Sequence, residues 1–277
     1  RDKSALRKAM RNIEIVFHAA ALKQVPSSEY NPVEAVKTNI LGAQNVVDIA
    51  LEENVERVIA ISTDKAVEPV NVMGMSKAIQ ERIITSANLF KDGKKTVFAC
   101  VRYGNVLGSR GSVVPLFRKL IESNKPLTLT HKDMTRFIIT LNEAIDLVFK
   151  ATKSAVGGEI FVLKMPSHTI NDLAEVMIES LNAKNKEIKI SGIRPGEKIH
   201  ETLVSYVESM RTVSKGNYYI ILPHISINDI EKNYPNNKNN NLFIFSSDNA
   251  ERLNKKELRE ILNNEGWLDK QEPRDYA

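Results

Sequence analysis

The stretch RVIAISTDKAVEPVNVMGMSK, residues 57–77, decides the fold expected for this chain. It starts with the apolar run RVIAIS, passes through a polar loop and ends in a segment of helical period that begins near Met73. A strand, a loop and a helix in this order form the repeating unit of a parallel sheet. The adjacent charged residues Asp64 and Lys65 therefore follow a strand, at the edge where ligands of open α/β sheets bind.

Strand-length and helical segments alternate on both sides of this stretch. IEIVFHAAA (13–21) and TVFACVRY (96–103) are typical of buried strands, and the first of them ends in three alanines that leave room for close approach to the backbone. Between them, NPVEAVKTNILGAQNVVDIALEEN (31–54) is typical of a helix that begins after Asn31, with Pro32 at its first position. The pattern predicts an α/β fold with a doubly wound parallel sheet.

Helical periodicity predicts one apolar face for the helix after Asn31. The residues expected along it are Val33, Val36, Ile40, Ala43 and Val47.

Beyond Gly104 the pattern changes to a glycine-punctuated loop, GNVLGSRGSVVP (104–115), followed by shorter elements. Helices are predicted over 142–152 and 169–181, the latter capped by Thr169, and 158–164 returns as a strand. We expect three regions. They are a partial dinucleotide-binding Rossmann domain over 1–104 and 141–165, a smaller substrate region over 105–140 and 166–225, and a C-terminal extension over 226–277 with a polar loop at 232–241.

Composition excludes several classes of function. The net charge of +5 comes from cations interleaved with 34 acidic residues, a pattern typical of a solvated surface and not of nucleic-acid binding. No apolar stretch approaches the roughly 18 residues of a membrane span. We therefore expect a cytoplasmic location and no membrane partner. The single cysteine, Cys100, lies in an apolar strand, and no clustered histidines or carboxylates indicate a metal site.

One feature of a nucleotide-binding fold is missing from the sequence. Such a fold starts with a strand, a glycine-rich turn and a helix, because pyrophosphate needs backbone amides free of side chains. No such turn follows a strand here, and KSALRKAM (3–10) is typical of a helix from the middle of a domain. We expect the chain to lack about 60 to 80 residues, or two βαβ steps, and therefore to bind cofactor poorly and to be inactive by itself.

Six motifs in order carry a resemblance to a known family: HAAALKQVP, TNILGAQNV, STDKAVEPVNVMGMSK, VRYGNVLGSRGSVVP, MTRF and RPGEKIHETLV. Together they resemble the UDP-N-acetylglucosamine 4,6-dehydratases (inverting) of the extended short-chain dehydrogenase/reductase family, and in particular its capsular polysaccharide biosynthesis branch. The similarity covers about residues 1–225. It implies a Rossmann domain that binds NADP, or NAD, a smaller domain that binds a UDP-sugar, and a homo-oligomer.

The resemblance implies a lyase reaction on UDP-N-acetylglucosamine. Oxidation at C4 acidifies the C5 proton, a base removes it, an acid helps the C6 hydroxyl leave as water, and the hydride returns to C6, with inversion at C5. By motif position Lys65 is the base and Asp64 the acid. A desolvated cleft favours the neutral amine while an ionised Asp64 opposes it, so the two residues form a coupled pair.

Met73 departs from the usual family pattern, which has a tyrosine as the acid/base at the oxidised hydroxyl. Methionine cannot exchange a proton, so Asp64, Lys65 or a water held by Thr63 must take the C4 proton. Lys77, four residues later on the same helical face, can still hold the cofactor ribose.

The remaining binding residues are implied by motif position alone. The cofactor-binding set is Ala19, Ala20, Ala21, Lys23, Thr38, Asn39, Ser62, Lys77, Tyr103 and Asn105. The substrate-binding set is Asn105, Arg110, Ser112, Val113, Pro115, Thr128, Arg136, Arg194 and Glu197. In this set, Arg136 and Arg194 are expected to clamp the diphosphate. The alternatives are that Arg136 pairs with a surface acid and that Glu197 caps the following helix.

Three functions stay open from the sequence. The first is NADP-dependent 4,6-dehydration of UDP-N-acetylglucosamine for surface polysaccharide or glycan biosynthesis. The second is a UDP-hexose 4-epimerase, which Met73 disfavours because epimerisation needs a proton carrier at C4. The third is a non-catalytic protein that binds a nucleotide-sugar or the cofactor.

Overall fold

A computed structural model of the protein describes residues 1–183, 187–225, 227–235 and 242–269. The chain divides into two units, the first formed by 1–103, 145–164 and 202–245, and the second by 104–144, 165–201 and 246–277. The predicted polar loop falls partly outside the described residues, since only 232–235 of it are described. Among the described helices, none is long and apolar enough to cross a membrane.

The described helices, numbered in chain order, have the following bounds: α1 (Lys3–Met10), α2 (Val25–Tyr30), α3 (Pro32–Ala35), α4 (Gly42–Glu52), α5 (Val72–Ser86), α6 (Val113–Glu122), α7 (Leu141–Ser154), α8 (Ile170–Ser180), α9 (Tyr206–Ser209), α10 (Asn228–Asn233) and α11 (Lys255–Asn264).

The described strands are β1 (Ile15–His18), β2 (Arg57–Thr63), β3 (Val97–Tyr103), β4 (Asn105–Val106), β5 (Leu127–Leu129), β6 (Thr135–Ile139), β7 (Ile160–Leu163), β8 (Ser167–Thr169), β9 (Ile188–Ile190), β10 (Thr202–Val204), β11 (Thr212–Lys215), β12 (Tyr218–Ile221) and β13 (Phe245–Ser246).

The first unit contains a six-stranded sheet of order β1-β2-β3-β7-β12-β11. Its first four strands run parallel, and β12 and β11 are antiparallel to their neighbours. Helix α5 packs on β2 and β3, α4 packs on α5, and α1 packs on α4. The predicted α/β fold with a parallel sheet is therefore confirmed.

The sheet also takes up a segment that the sequence assigned elsewhere. Residues 202–225 were expected in the substrate region, but β11 and β12 form a hairpin that extends the first sheet beyond β7. Lys215 pairs with Tyr218, so the connection has two residues, and Gly216 takes a φ of +58° at its first position. The two strands of this hairpin are too short to show a clear alternation of apolar residues, and their neighbour β7 is distant in the sequence. The sequence therefore does not indicate which sheet the hairpin joins.

The predicted helix over 31–54 contains a π-helical turn, Val36–Leu41, between α3 and α4. Ala43 and Val47 are buried as predicted, whereas Val33 and Val36 are 60% and 40% exposed, so the single apolar face was wrong. A π turn adds a residue relative to the α-helical repeat and rotates the residues on either side to different faces.

The second unit is built around a separate apolar core. Strands β4, β6 and β8 form one sheet, and β5 and β9 form a parallel pair. The predicted cap of α8 is confirmed, because the Thr169 hydroxyl accepts from the Asp172 amide. Helices α6, α8 and α11 bury Phe117, Leu173 and Leu258 together, so the C-terminal segment supplies part of this core.

Candidate active site

The carboxyl ends of β1, β2 and β3 meet at one edge of the first sheet, because these strands are parallel and in register. His18 lies opposite Ala60, and Thr63 lies opposite Tyr103. Asp64 follows Thr63 directly, which puts the predicted acid at the mouth of the sheet, where ligands of open α/β folds bind.

Asp64 and Lys65 form a close pair at this edge. The Lys65 ammonium donates to Asp64 Oδ1 at 2.9 Å, and the Thr63 hydroxyl donates to the same oxygen at 2.9 Å. Asp64 is fully buried, while the Lys65 side chain is 25% exposed. Asp64 Oδ2 is buried and has no hydrogen-bond partner among the described residues. One carboxylate oxygen therefore holds the amine, and the other has its lone pairs unused.

A tight turn places this pair. Residues Asp64–Ala66 form one turn of 3₁₀ helix, and the Thr63 hydroxyl accepts from the Lys65 amide at 3.4 Å. Helix α5 begins against this turn, since a Cβ at Gly74 would lie 2.3 Å from the Lys65 carbonyl oxygen. The Asn71 side chain caps α5 by accepting from the Gly74 amide at 2.7 Å. Gly74 thus permits a contact between helix and turn that any larger residue blocks.

Met73 and Lys77 lie one turn apart on α5, as their spacing predicted, and both are buried. Met73 is 4% exposed, and the Lys77 ammonium donates to the Ile61 carbonyl at 2.6 Å and to Gln80 Oε1 at 2.9 Å. Burial lowers the pKa of Lys77 to about 8. The position where the family usually has a tyrosine therefore holds a buried thioether with no titratable proton.

His18 and Ser62 lie beneath the same edge. Both are buried, and neither His18 Nε2 nor Ser62 Oγ has a hydrogen-bond partner among the described residues. Burial, followed by the charge of Lys77, lowers the pKa of His18 to about 4, so the imidazole is neutral near pH 7.

The π-helical turn places Asn39 where it joins two parts of the site. Its side chain accepts from the Leu22 amide at 2.8 Å and donates to the Leu22 carbonyl at 3.0 Å and to Ser76 Oγ at 2.8 Å. Ser76 in turn donates to the Met73 carbonyl at 2.7 Å. Asn39 is fully buried and thus braces the loop after β1 against α5. Sequence analysis assigned Asn39 to the cofactor but missed Ser76.

The other residues assigned to the cofactor lie in the loop after β1, in the π-helical turn and at the end of β3. Ala19, Ala20 and Lys23 are exposed, and Ala21 is partly buried. The Thr38 hydroxyl accepts from the Arg1 guanidinium at 2.9 Å, and burial raises the pKa of Tyr103 to about 12. The contact of these residues with a dinucleotide stays a prediction.

The second unit holds the residues assigned to the sugar nucleotide. Asn105 Oδ1 and Ser112 Oγ are buried atoms with no hydrogen-bond partner among the described residues, and Arg110 between them is exposed. Val113 and Pro115 lie in the first turn of α6, and Thr128 is exposed in β5.

The arginine assignments differ in what the side chains contact. Arg136 is buried, and its guanidinium donates to the carbonyls of Thr135 at 2.7 Å and of Ile199 and Lys198 at 3.0 Å each. Arg136 therefore braces the segment after Glu197, and its contact with a diphosphate stays a prediction.

Arg194 and Glu197 form a turn of their own. The Arg194 amide donates to Glu197 Oε2 at 3.1 Å, and the Glu197 amide donates to the Arg194 carbonyl at 3.0 Å. Glu197 therefore closes a local turn. Among the described residues no helix begins between Glu197 and α9, which Ser205 caps, so the predicted helix cap was wrong. Arg194 is exposed, so its guanidinium is able to reach an anion in solvent.

A buried ion cluster near the site was missed. Arg102 on β3 donates to both carboxylate oxygens of Glu81 and to both of Glu208 over 2.6–3.0 Å. The partners are 21 and 106 residues from Arg102 in the sequence. The one available signal is an arginine within an otherwise apolar strand.

Comparison with protein families decides which family this is. The model described as "polysaccharide biosynthesis protein" matches residues 1–223. The chain belongs to that family.

Similar proteins carry different names. One from Methanocaldococcus jannaschii, 49% identical over 97% of this chain and 80% of its own length, is called only an "uncharacterized membrane protein". The "UDP-N-acetylglucosamine 4,6-dehydratase (inverting)" of Campylobacter jejuni is 46% identical over 95% of this chain and 80% of its own length. The "UDP-glucose 4-epimerase" of Rickettsia bellii is 44% identical over 95% of this chain and 78% of its own length. The extended short-chain dehydrogenase/reductase resemblance is thus confirmed at the level of nucleotide-sugar dehydratases and epimerases.

Solved structures agree with the fold. The X-ray structure of Pen from Bacillus thuringiensis superposes with a TM-score of 0.88 at 41% identity, over 96% of this chain and 79% of that one. A UDP-glucose 4-epimerase from Thermus thermophilus, solved with NAD, shares the fold at 23% identity with a TM-score of 0.61 over 71% of each chain.

Proposed function

We propose that the protein catalyses the NADP-dependent 4,6-dehydration of UDP-N-acetylglucosamine, with inversion at C5, as a step in the biosynthesis of a surface polysaccharide or glycan. The observation that carries the proposal is the Asp64–Lys65 pair. A buried carboxylate and a partly exposed amine share a hydrogen bond at the carboxyl edge of the sheet, with one carboxylate oxygen unused. A cytoplasmic location and a homo-oligomeric state stay predictions.

Residues of the first unit fit a nicotinamide dinucleotide. Ala19, Ala20 and Ala21 offer a surface without bulky side chains, while Ser62 has a buried polar atom to offer. Lys77 would hold the ribose by exchanging one of its two present acceptors. When bound, the cofactor would supply hydride transfer, by accepting a hydride from C4 and donating it to C6. NADP is our proposal, with NAD as the alternative.

The pair has the groups that elimination of water requires. Lys65 and Asp64 hold one proton between them, and moving it from Nζ to the carboxylate gives a neutral amine beside a carboxylic acid. The amine then removes the C5 proton, and the acid gives its proton to the departing C6 hydroxyl, which leaves as water. These two transfers restore the ion pair.

Thr63 replaces the missing tyrosine at C4. Its hydroxyl donates to Asp64 and accepts from the Lys65 amide, which leaves one lone pair to orient a water. We propose that this water carries the C4 hydroxyl proton to solvent, and that solvent returns a proton to C5 on the opposite face. The C4 hydroxyl proton leaves to solvent and a solvent proton enters at C5, so the net change is the loss of one water. C5 is inverted because the new proton is added to the face opposite the one from which the first was removed.

The UDP portion is assigned to the second unit. Arg110 and Arg194 are exposed residues whose guanidinium groups suit a diphosphate. Asn105 and Ser112 offer buried atoms without protein partners to the nucleotide-sugar.

The test is turnover of UDP-N-acetylglucosamine by the full protein with NADP, followed by mass spectrometry of the product. Loss of one water is expected, and Lys65→Ala and Asp64→Asn should each lower kcat by at least about 100-fold, as for lost acid or base catalysis. Lys95→Ala is the matched control, because Lys95 is an exposed lysine after α5. Full activity in Lys65→Ala would remove the catalytic assignment.

A second candidate is supported by the 44% identity to a protein named UDP-glucose 4-epimerase. Epimerisation leaves the mass of the sugar unchanged, so the same measurement separates the two reactions. Met73 argues against it, since the thioether cannot carry the C4 proton that epimerisation moves. Saturable binding of NADP and UDP-N-acetylglucosamine without any change in the sugar would instead indicate a non-catalytic binding protein.

A further inference from the structure

Trp267 connects the C-terminal segment to the loop that precedes α6 within the second unit. It is the only tryptophan of the 277 residues, and it lies outside residues 1–223 that the family model matches. It follows α11, is 5% exposed, and its amide donates to the Leu262 carbonyl at 2.8 Å. The ring therefore belongs to the core of the second unit.

The indole ring contacts the backbone at Gly108. A Cβ built on Gly108 would lie 2.1 Å from Cζ2 of Trp267 and 2.5 Å from Cε2, and Gly108 has a φ of +72°. No side chain fits between the ring and this backbone, so the ring edge fixes how deep the loop lies.

Successive turns carry the position of Gly108 to α6. The Leu107 amide donates to the Ile139 carbonyl at 2.8 Å, and the Ser109 amide donates to the Val106 carbonyl at 3.2 Å. The Ser112 amide then donates to the Ser109 carbonyl at 2.9 Å. A shift at Gly108 therefore moves Ser112, whose hydroxyl is one of the unused polar atoms of this loop.

The same segment is also attached to α6 itself. The Arg118 guanidinium donates to the Trp267 carbonyl at 3.3 Å and to the Asp269 carbonyl at 2.8 Å. Trp267 thus lies between α6 and the loop that leads into it. Its Nε1 has no hydrogen-bond partner among the described residues, so the ring is held by packing.

We infer that Trp267 is a positioning residue for nucleotide-sugar binding, because its ring sets the depth of the loop that carries Asn105 and Ser112. The inference rests on the proposed function, which assigns this loop to the sugar nucleotide. Trp267 does not touch the reacting atoms in this role, so it controls affinity and not the chemical step.

Kinetics of substituted full-length proteins test this role. Trp267→Phe removes the part of the ring that contains Cζ2. It breaks no hydrogen bond among the described residues, because Nε1 has no partner there. We expect it to raise KM for UDP-N-acetylglucosamine about fivefold while kcat stays within about twofold, the pattern of a lost binding contribution. Leu258→Val is the control for loosening the same core, and it should leave KM unchanged.

Coupling to Gly108 distinguishes positioning from simple destabilisation. Gly108→Ala should raise KM more in the parent protein than in Trp267→Phe, because the added methyl group meets Cζ2 only in the parent. Equal effects of Gly108→Ala in both backgrounds, or an unchanged KM in a folded Trp267→Phe protein, would overturn the inference.

Titration with UDP separates this inference from the proposed function. Trp267 fluorescence, taken as the difference between the parent and Trp267→Phe, should change saturably with UDP even in a protein without turnover. A saturable change without turnover would refute the proposed reaction and support the inference. Turnover without such a change would refute the inference alone.

Discussion

The dependence of stability on pH tests how Lys77 is held in the first unit. Lys77 is 6% exposed, and burial lowers its pKa to about 8, although nearby Cys100 and Glu81 oppose the change. An unfolded chain has the ordinary lysine pKa of about 10.4. Between these two values the unfolded state binds more protons than the folded state, so the free energy of unfolding rises with pH.

The size of this rise follows from the two pKa values. The difference of about 2.4 between the two pKa values corresponds to about 3 kcal/mol in total. About 2 kcal/mol of it is recovered between pH 7 and pH 9.5, because the folded form loses its proton first. Below pH 7 Lys77 is charged in both states, and its burial cost is fully present.

Urea unfolding at several pH values measures this contribution. Burial raises the pKa of the Cys100 thiol, which lowers stability in part of the same range, so both proteins carry Cys100→Ala. The free energy of unfolding of this background, minus that of the same protein with Lys77→Met, should increase by about 2 kcal/mol from pH 7 to pH 9.5. Parallel pH profiles for the two proteins would refute the buried, destabilised ammonium.

Two other predictions follow from contacts in the first unit, and a third follows from the proposed proton and hydride transfers. Gly74→Ala should destabilise the protein by about 1–3 kcal/mol in urea unfolding and lower kcat, because its methyl group would meet the Lys65 carbonyl at 2.3 Å. Helix propensity alone predicts that alanine stabilises the protein, so a stabilised variant would contradict the contact. Arg102→Met should cost about 3–5 kcal/mol, because the buried Glu81 and Glu208 lose the guanidinium that both contact and Glu208 keeps only Arg211 at 3.9 Å. Adding Glu81→Gln and Glu208→Gln should recover much of the loss. In deuterium oxide, the product should carry one deuterium at C5 by mass spectrometry and NMR and none at C6; label at C6 would exclude direct return of the C4 hydride.

Local signals in the sequence predicted the parallel sheet and the acid–amine pair. Strand-length apolar runs placed β2 and β3 within one residue of their bounds, and the neighbours Asp64 and Lys65 do contact one another. Both predictions depend on short-range geometry, the alternation of elements and the turn that ends a strand. Neither requires knowledge of distant parts of the chain.

Features that depend on distant residues were missed or misplaced. Arg102 and Glu208 are 106 positions apart in the sequence, and Trp267 is likewise far along the sequence from Gly108. No periodicity or motif therefore marks either contact. The π turn near Asn39 is a local feature, yet it breaks the helical repeat from which the apolar face was predicted. It also gives Asn39 its three hydrogen bonds to Leu22 and Ser76.

The lack of a phenol at position 73 changes what the site requires of α5. A tyrosine there would have to be brought to the sugar by the docking of a whole helix, whereas Asp64 and Lys65 are neighbours on one turn and keep their spacing whatever α5 does. Helix α5 is still needed, since Gly74 packs against the Lys65 carbonyl and fixes the direction of the turn. Displacing α5 should therefore turn the Asp64–Lys65 pair away from the sugar and lower the maximum of kcat. The proton that the two residues share should be unaffected, so the pH dependence of kcat should stay the same. If Gly74→Ala instead altered the pH dependence of kcat and not its maximum, the helix would have to contribute to the proton chemistry itself.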